Sequence, residues 1–117
     1  MELPSEAVLL RVFIGESDRH DGLPLYEAIV LEARKRGMAG ATVLRGIMGF
    51  GADSHLHTAK ILRLSEDLPI VVEIVDMPER IDDFLPVVDE MMEEGLVTTE
   101  RVRVKMYRSS CGRTASP

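Results

Sequence analysis

Six patterned apolar segments follow one another along this chain of 117 residues, and their order restricts the fold to a few topologies. Four of them are rich in β-branched residues and have the length of a strand, whereas two repeat apolar residues at helical spacing. The order is strand, helix, strand, strand, helix, strand. With right-handed crossovers it predicts an α+β fold, a ferredoxin-like βαββαβ sandwich with two helices on one face of a four-stranded antiparallel sheet.

The strands are predicted at residues 7–15, 41–47, 70–76 and 97–108. A long loop of glycine and polar residues is predicted from residue 48 to residue 60, after the second strand. Residues 61–65 either end this loop or form a further short strand.

Two amphipathic helices are predicted, one over residues 24–37 and one between Asp76 and Gly95. Asp76 is followed three residues later by Glu79, a spacing that predicts a capping box at the start of the second helix. The stripes that we expect to be buried are Tyr26, Ile29, Val30 and Ala33 in the first helix, and Ile81, Phe84, Leu85, Val88 and Met92 in the second.

The sheet face away from the helices is predicted to be an interface between copies of the chain. Every strand has a charged residue among apolar ones, and such a face is too apolar to be left fully in water. We expect the charges to pair along or between strands when copies associate. The charged residues are Arg11, Arg45, Glu73 and Arg103 with Lys105, and the apolar residues assigned to this face include Leu9, Phe13, Val43, Val71 and Val75.

Length and composition predict one folded domain over residues 1–108 and a disordered tail over residues 109–117. The single cysteine, Cys111, can form neither an internal disulfide nor a thiolate metal cage. We find no apolar run long enough for a membrane span and no signal peptide at the start, so we expect a cytoplasmic protein that is not membrane-embedded.

The net charge of −6 argues against a general nucleic-acid binder, because that affinity comes mainly from Lys and Arg on phosphates. Aromatic residues are 4 % of the chain, too few for a sheet face on which RNA bases stack. The charge is also uneven. Residues 66–94 are strongly acidic, as one solvated helix face would be, and residues 95–117 are basic.

Two segments are candidates for anion binding. Residues 46–51, with the sequence GIMGFG, leave the second strand, and backbone N–H groups of such a glycine-rich turn can cradle a phosphate. A simple flexible turn is the alternative. Arg103 and Lys105 share one side of the last strand and could meet phosphates or a carboxylate. A basic edge strand that resists aggregation is the alternative there.

Two further groups are considered and set aside. His55 and His57 could both point to one side of an extended segment, but two imidazoles in a loop are an incomplete zinc site, so no metal is predicted. Arg19 and His20 lie in the loop that small phosphatases of this topology use for phosphate, and they would support phosphoryl or acyl hydrolysis. Acidic neighbours oppose that role, helix capping by Asp21 is favoured, and no catalytic residue is predicted.

From residue 8 to residue 108 the chain closely resembles the bacterial and archaeal family of unknown function one hundred and ninety, which is PII-like. The resemblance is strongest over GESDRHDGLPLYEAIVLEARKRGMAGATVLRGIMGFG, HTAKILRLSEDLPIVVEIVD and FLPVVDEMMEEGLVTTERVRV. It implies a compact homotrimer of ferredoxin-like protomers, a long loop after the second strand, and nucleotide sites in clefts between subunits.

The resemblance also implies which residues would bind a ligand. Gly49, Phe50 and Gly51 match the glycine-phenylalanine-glycine that begins the long PII loop beside the nucleotide. Arg103 and Lys105 stand where PII proteins have two phosphate-binding arginines on the last strand.

The chain departs from the PII pattern at two places. Ala52 and Asp53 follow the glycines where PII proteins have arginine and glutamine. Residues 94–97 form a short turn without the lysine of the PII glycine-aspartate-glycine-lysine loop. Two phosphate contacts expected of a PII protein are therefore absent from the sequence.

The sequence thus predicts a PII-like signalling protein, not an enzyme, with no required cofactor. It would bind a small anionic ligand such as a nucleotide between subunits and regulate a partner through the loop at residues 52–60. The alternative is a trimeric structural module without ligand binding. The resemblance suggests a membrane transporter as partner, since family members often occur beside or fused to fluoride exporters.

Overall fold

The computed structural model describes residues 3, 5–51, 57–58 and 67–109. Four antiparallel strands form the main sheet in the order β2-β3-β1-β4, which is the ferredoxin-like order that the sequence predicts. In chain order the elements are β1 (Glu6–Gly15), α1 (Leu25–Lys35), β2 (Thr42–Arg45), β3 (Pro69–Asp76), α2 (Pro78–Met91) and β4 (Leu96–Arg103).

The core lies between the two helices and one face of the sheet. Alternation along β3, and along β1 from Leu10 to Ile14, turns every second side chain inward, and both helices contribute an apolar stripe. Ile29 and Ala33 of α1 and Phe84 and Val88 of α2 are buried as predicted. The other predicted stripe residues are only half-buried, namely Tyr26, Val30, Leu85 and Met92. The remaining buried core residues are Leu10, Val12, Ile14, Leu25, Ile70, Val72, Ile74 and Ile81.

A tight hairpin precedes α1, and the predicted helix cap at Asp21 is wrong. Arg19–His20 pairs with Leu23–Pro24, and the two residues between them have φ values of 50° and 84°. Positive φ at both central residues is typical of a two-residue hairpin turn, for which Asp-Gly is a favoured sequence. Asp21 therefore lies in a turn, and Pro24 precedes the helix without any side-chain cap.

The predicted capping box at α2 is also wrong. Met77 is the residue before the helix, and no side chain caps it. Asp76 ends β3 on the core side with 0 % exposure, because alternation places it on the same face as Ile74. Its Oδ1 accepts a hydrogen bond from the Met77 N–H at 2.7 Å, and its Oδ2 accepts one from the Ala39 N–H at 2.9 Å.

Some predictions fall on residues outside the described ranges. They are those on the loop at 52–56 and 59–60, on residues 61–65, and on the tail beyond Ser109 with its cysteine. Within the described part of the chain, neither helix has the length and apolar character needed to cross a bilayer.

We predict that Gly95→Ala destabilises the protein by about 2 kcal/mol, because the chain turns there in a conformation that side chains avoid. Gly95 has φ 139°, and an added Cβ would lie 2.7 Å from the Phe13 carbonyl oxygen and 2.6 Å from Met92 Cε. Urea denaturation measures the change. Gly40→Ala is the control, because nothing lies within 4 Å of a Cβ there. Equal losses in the two variants would contradict the prediction.

Candidate functional site

The open face of the sheet has an apolar row at one end and a polar row beside it. The strand registers align the side chains across all four strands, so that each row crosses the whole sheet. Leu96, at the edge of the apolar row, is 57 % exposed. The apolar row is Leu44, Val71, Phe13 and Leu96, and the polar row is Thr42, Glu73, Arg11 and Thr98.

Three residues assigned to this face by the sequence lie on the other side of the sheet. β2 pairs Thr42 with Glu73, so Val43 and Arg45 turn toward the helices, and Val43 packs against the core. Arg103 lies opposite Glu6, on the helix side that Val97 also occupies. The alternation within each strand is as predicted, but the pairing between strands decides which set faces which way.

Arg11 is the centre of an ion cluster on the open face. Its Nε lies 2.9 Å from Glu73 Oε2, and its Nη1 lies 2.7 Å from Glu100 Oε1. The hydrogen bond to Glu73 raises the pKa of Arg11 above its ordinary value, and the charges of Glu73 and Glu100 add to the effect. Of the charged residues predicted to pair on this face, Arg11 and Glu73 do so, and they pair within one protomer.

A hairpin leaves the sheet after β2, beginning in the GIMGFG segment. Met48–Gly49 pairs with His57–Thr58 as two short antiparallel strands. The Gly46 N–H donates to the Pro69 carbonyl at 2.7 Å, and an added Cβ at Gly46 or Gly49 would lie 3.0 Å from the Pro69 ring. These two glycines therefore have a packing role at the base of the hairpin.

The hairpin base presents large apolar side chains to solvent. Ile47 is 78 % exposed, Met48 58 % and Phe50 74 %. An ion pair anchors the same base from the sheet side, with Arg45 Nε 3.2 Å from Glu16 Oε2. Exposed apolar clusters of this kind are typical of surfaces that contact another molecule.

The cationic end of β4 lies away from this hairpin. Arg103 and Lys105 are exposed, and neither makes a side-chain hydrogen bond or ion pair to another residue in the described ranges. The chain continues along β1 after the strand, where the Val104 N–H donates to the Ser5 carbonyl at 2.7 Å. Tyr107 then places its hydroxyl 3.2 Å from the Ala39 carbonyl.

The two halves of the predicted ligand site are at opposite corners of the protomer. Gly49 packs on Pro69, which lies opposite Gly15 at one end of β1, whereas Arg103 lies opposite Glu6 at the other end. At the usual rise of a strand this separation is about 30 Å. One protomer does not bring Gly49, Phe50 and Gly51 near Arg103 and Lys105, and a small ligand could contact both groups only between copies.

The alternative hydrolytic site has no catalytic geometry among the described residues. Arg19 Nη2 donates to the Gly22 carbonyl at 2.8 Å, within its own turn. His20 Nε2 lies 3.4 Å from Asp21 Oδ2, and Ser17 uses its backbone N–H to bind Asp67. The described residues also contain no group of three His, Cys, Asp or Glu placed to hold a metal ion. His55 and the side chain of His57 lie outside them.

The structure shows a clamp between the helices that the sequence analysis missed. Arg80 Nη2 donates to the carbonyls of Arg36 at 3.0 Å and Gly37 at 2.7 Å, and Arg80 Nε lies 3.4 Å from Asp76 Oδ1. A cavity of about 300 Å³ beside the clamp is lined by Arg36, Met38, Arg80, Asp83 and Phe84. The signal in the sequence is the four-residue spacing from Asp76 to Arg80, which is also typical of an ordinary surface ion pair.

A four-stranded antiparallel sheet in ferredoxin-like order, with two helices on one face, places the chain in the class of ferredoxin-like α+β proteins. Within that class it belongs to the family DUF190, described as "Uncharacterized ACR", which matches residues 7–104. This confirms the family that the resemblance indicated.

Relatives from two organisms support the same membership. A "UPF0166 protein" of Aquifex aeolicus is 40 % identical over 96 residues, which cover 82 % of this chain and 90 % of the relative. A second one from that organism is 36 % identical over 97 residues, covering 83 % and 95 %. A "UPF0166 protein" of Methanocaldococcus jannaschii is 34 % identical over 93 residues, covering 79 % and 85 %.

Proposed function

We propose that this chain is a non-enzymatic PII-like regulatory protein that binds a small anionic ligand in clefts between its own copies. The observation behind this proposal is the position of the two candidate half-sites. An exposed glycine-phenylalanine turn lies at one corner of the protomer, and a pair of exposed cations without partners among the described residues lies at the opposite corner. A closed ring of copies can bring one corner of each protomer to the other corner of its neighbour.

Assembly through the open face of the sheet would form such a ring. The apolar row is exposed at both edges of the sheet, at Leu44 and Leu96, and a second copy would remove it from water. The ring has three members in this proposal, because that is the assembly that the PII resemblance implies. The Arg11 cluster would then be enclosed with its carboxylates already in place, which reduces the cost of removing the guanidinium from water.

The ligand would contact positively charged side chains on one side of the cleft, and the glycine backbone and an aromatic ring on the other side. Arg103 and Lys105 supply donors for phosphate or carboxylate oxygens, and hydrogen bonds to charged groups contribute about 1.5–3 kcal/mol each. Gly49 and Gly51 allow a ligand to approach the backbone, and Phe50 offers an exposed ring face for a flat group such as a base. A nucleotide combines these features.

Regulation would operate through the hairpin. A ligand can shift the equilibrium of a loop only if it binds one loop state better than the other, and a site at the hairpin base meets that condition. The exposed side chains of Ile47, Met48 and Phe50 lie at the hairpin base, where a partner could bind to one loop state and not to the other. The partner would therefore present an apolar surface to the hairpin base.

We predict that the double variant Arg103→Ala, Lys105→Ala binds ATP and ADP at least about 100-fold more weakly than wild type, because two charge-assisted contacts are lost. Isothermal titration calorimetry measures Kd. The double variant Arg34→Ala, Lys35→Ala removes the same two types of charge from the exposed end of α1 and is expected to leave Kd unchanged. No binding by wild type, or equal weakening in both double variants, would refute the nucleotide site.

The alternative function is a trimeric structural module that does not bind the ligand and contacts a membrane transporter. One observation favours it. The connection from α2 to β4 contains Glu93 and Glu94, whose negative charge would repel a phosphate. Native mass spectrometry of the purified protein separates the two functions, because the subunit count and any retained nucleotide are read from one spectrum. A trimer without retained or added nucleotide supports the module.

A further inference from the structure

The segment after β4 ties the cationic end of that strand to the connection between α1 and β2. Residues 104–109 leave β4 alongside Ser5, and Tyr107 reaches the Ala39 carbonyl with its hydroxyl at 3.2 Å. Ala39 belongs to the short connection that enters β2 at Thr42. β2 is an edge strand and β4 is the opposite edge strand. The segment therefore connects the two edge strands by passing around one end of the sheet.

Both backbone groups of Ala39 are hydrogen-bonded. Its N–H donates to the buried carboxylate of Asp76 at 2.9 Å, and its carbonyl accepts from Tyr107. Asp76 is fixed in the core and is bonded to Met77, so it provides an anchor that does not depend on solvent-exposed groups. Tyr107 is exposed to solvent. Of the two hydrogen bonds to Ala39, the one from the Tyr107 hydroxyl is therefore the one that can open and close.

β2 leads from Ala39 to the hairpin with few residues between them. Thr42–Arg45 pairs with β3 along its whole length, and Gly46 bonds to Pro69 directly after it. A short, hydrogen-bonded strand therefore connects Ala39 to the hairpin base. Lys105 lies two residues before Tyr107 in the segment itself.

We propose that residues 104–109 are a strap through which occupancy of the cationic end of β4 controls the order of β2 and the hairpin, with Tyr107 as its positioning residue. The proposal rests on the ligand site proposed above and adds the route from Arg103 and Lys105 to the hairpin within one protomer. A ligand bound to Lys105 restricts the segment, which keeps the Tyr107 hydroxyl on Ala39 and stabilises the start of β2. Without ligand, the hydroxyl bond opens more often and β2 loosens.

Hydrogen exchange measured by mass spectrometry tests the strap in the full chain, using Tyr107→Phe, which removes one hydroxyl and keeps the ring. In the free protein we expect amides of residues 40–45 to exchange about fivefold faster in this variant, the factor for one ordinary hydrogen bond. Tyr26→Phe is the matched control, since Tyr26 is the other tyrosine of the chain and its hydroxyl makes no hydrogen bond to another described residue.

The second arm adds ATP. In wild type we expect the nucleotide to slow exchange at residues 42–49, and in Tyr107→Phe we expect about half or less of that protection at the same fractional occupancy. Kd itself should change by no more than about threefold, because the hydroxyl does not contact the ligand. A purely structural tyrosine would change the free-protein rates and leave the ligand-induced protection intact.

The outcomes separate the strap from the site. If wild type binds no nucleotide, the ligand site fails, and faster exchange confined to Tyr107→Phe still supports the physical link between the segment and β2. If ATP binds and protects residues 42–49 equally in wild type and Tyr107→Phe, the strap is overturned and the site stands. Identical free-protein exchange in Tyr107→Phe and Tyr26→Phe also overturns the strap.

Discussion

Replacing Asp76 by alanine is expected to lower the free energy of unfolding by about 3 kcal/mol or more, a large part of the stability of a domain this size. The carboxylate is fully buried and accepts hydrogen bonds from the backbone N–H groups of Ala39 and Met77. Alanine would leave both N–H groups unpaired and would remove the counterion of Arg80, which lies 3.4 Å away. Urea denaturation followed by circular dichroism measures the change.

Two exposed acids of α2 provide the controls for Asp76. Asp82→Ala removes a carboxylate from the solvent face and is expected to change the stability by less than about 0.5 kcal/mol. Glu79→Ala tests the capping-box alternative. If Glu79 were part of a capping box, this substitution would also lower the free energy of unfolding by a measurable amount. A loss at Asp76 no larger than the loss at Asp82 would show that the buried carboxylate does not hold the α1–β2 connection.

The sequence predicted the fold because the apolar periods of the elements differ. The alternation in β3 is long enough to exclude a helix, and the three-to-four spacing in α2 is long enough to exclude a strand. The order of strands and helices then leaves one common topology. Asp76 was misassigned because it lies where the two patterns meet. An aspartate three residues before a glutamate predicts a cap, whereas the alternation of β3 continued by one residue predicts a core position, and local spacing does not decide between them.

The faces of the edge strands were predicted less well than those of the central strands. Leu9, Phe13, Val71 and Val75 lie on the open face as predicted, because β1 and β3 show a clear alternation. β2 has four residues, and its face depends on pairing Thr42 with Glu73. Pairing is a tertiary property that one strand's sequence does not contain.

The candidate ligand residues were predicted from the sequence as one site, but one protomer does not bring them together. The resemblance selects Gly49 and Arg103 one by one, and each is exposed or at an exposed turn. Their separation appears only when the strand order is known. Pro69 gives two of the glycines a structural role as well, so a glycine motif alone could not distinguish a ligand-binding turn from a packed hairpin base.

The open face leads to the prediction with the largest expected effect on assembly. We expect Phe13→Lys to convert the proposed trimer to a monomer at micromolar concentration. Phe13 lies in the apolar row between Val71 and Leu96, and a lysine there would be enclosed without a partner, at a cost of about 3 kcal/mol or more at each contact between copies. Sedimentation equilibrium measures the mass in solution.

Leu44 and Leu31 make the matched comparison that isolates the open face. Both leucines are 48 % exposed, but Leu44 belongs to the apolar row and Leu31 lies on α1, on the other side of the protomer. If the open face is the interface, Leu44→Lys weakens assembly and Leu31→Lys does not. Folding of each variant is checked by circular dichroism, since a side chain that faces solvent in the protomer can change without loss of the core. A monomeric wild type, or a trimer that survives both Phe13→Lys and Leu44→Lys, would exclude this face, and with it the clefts in which the two half-sites would meet.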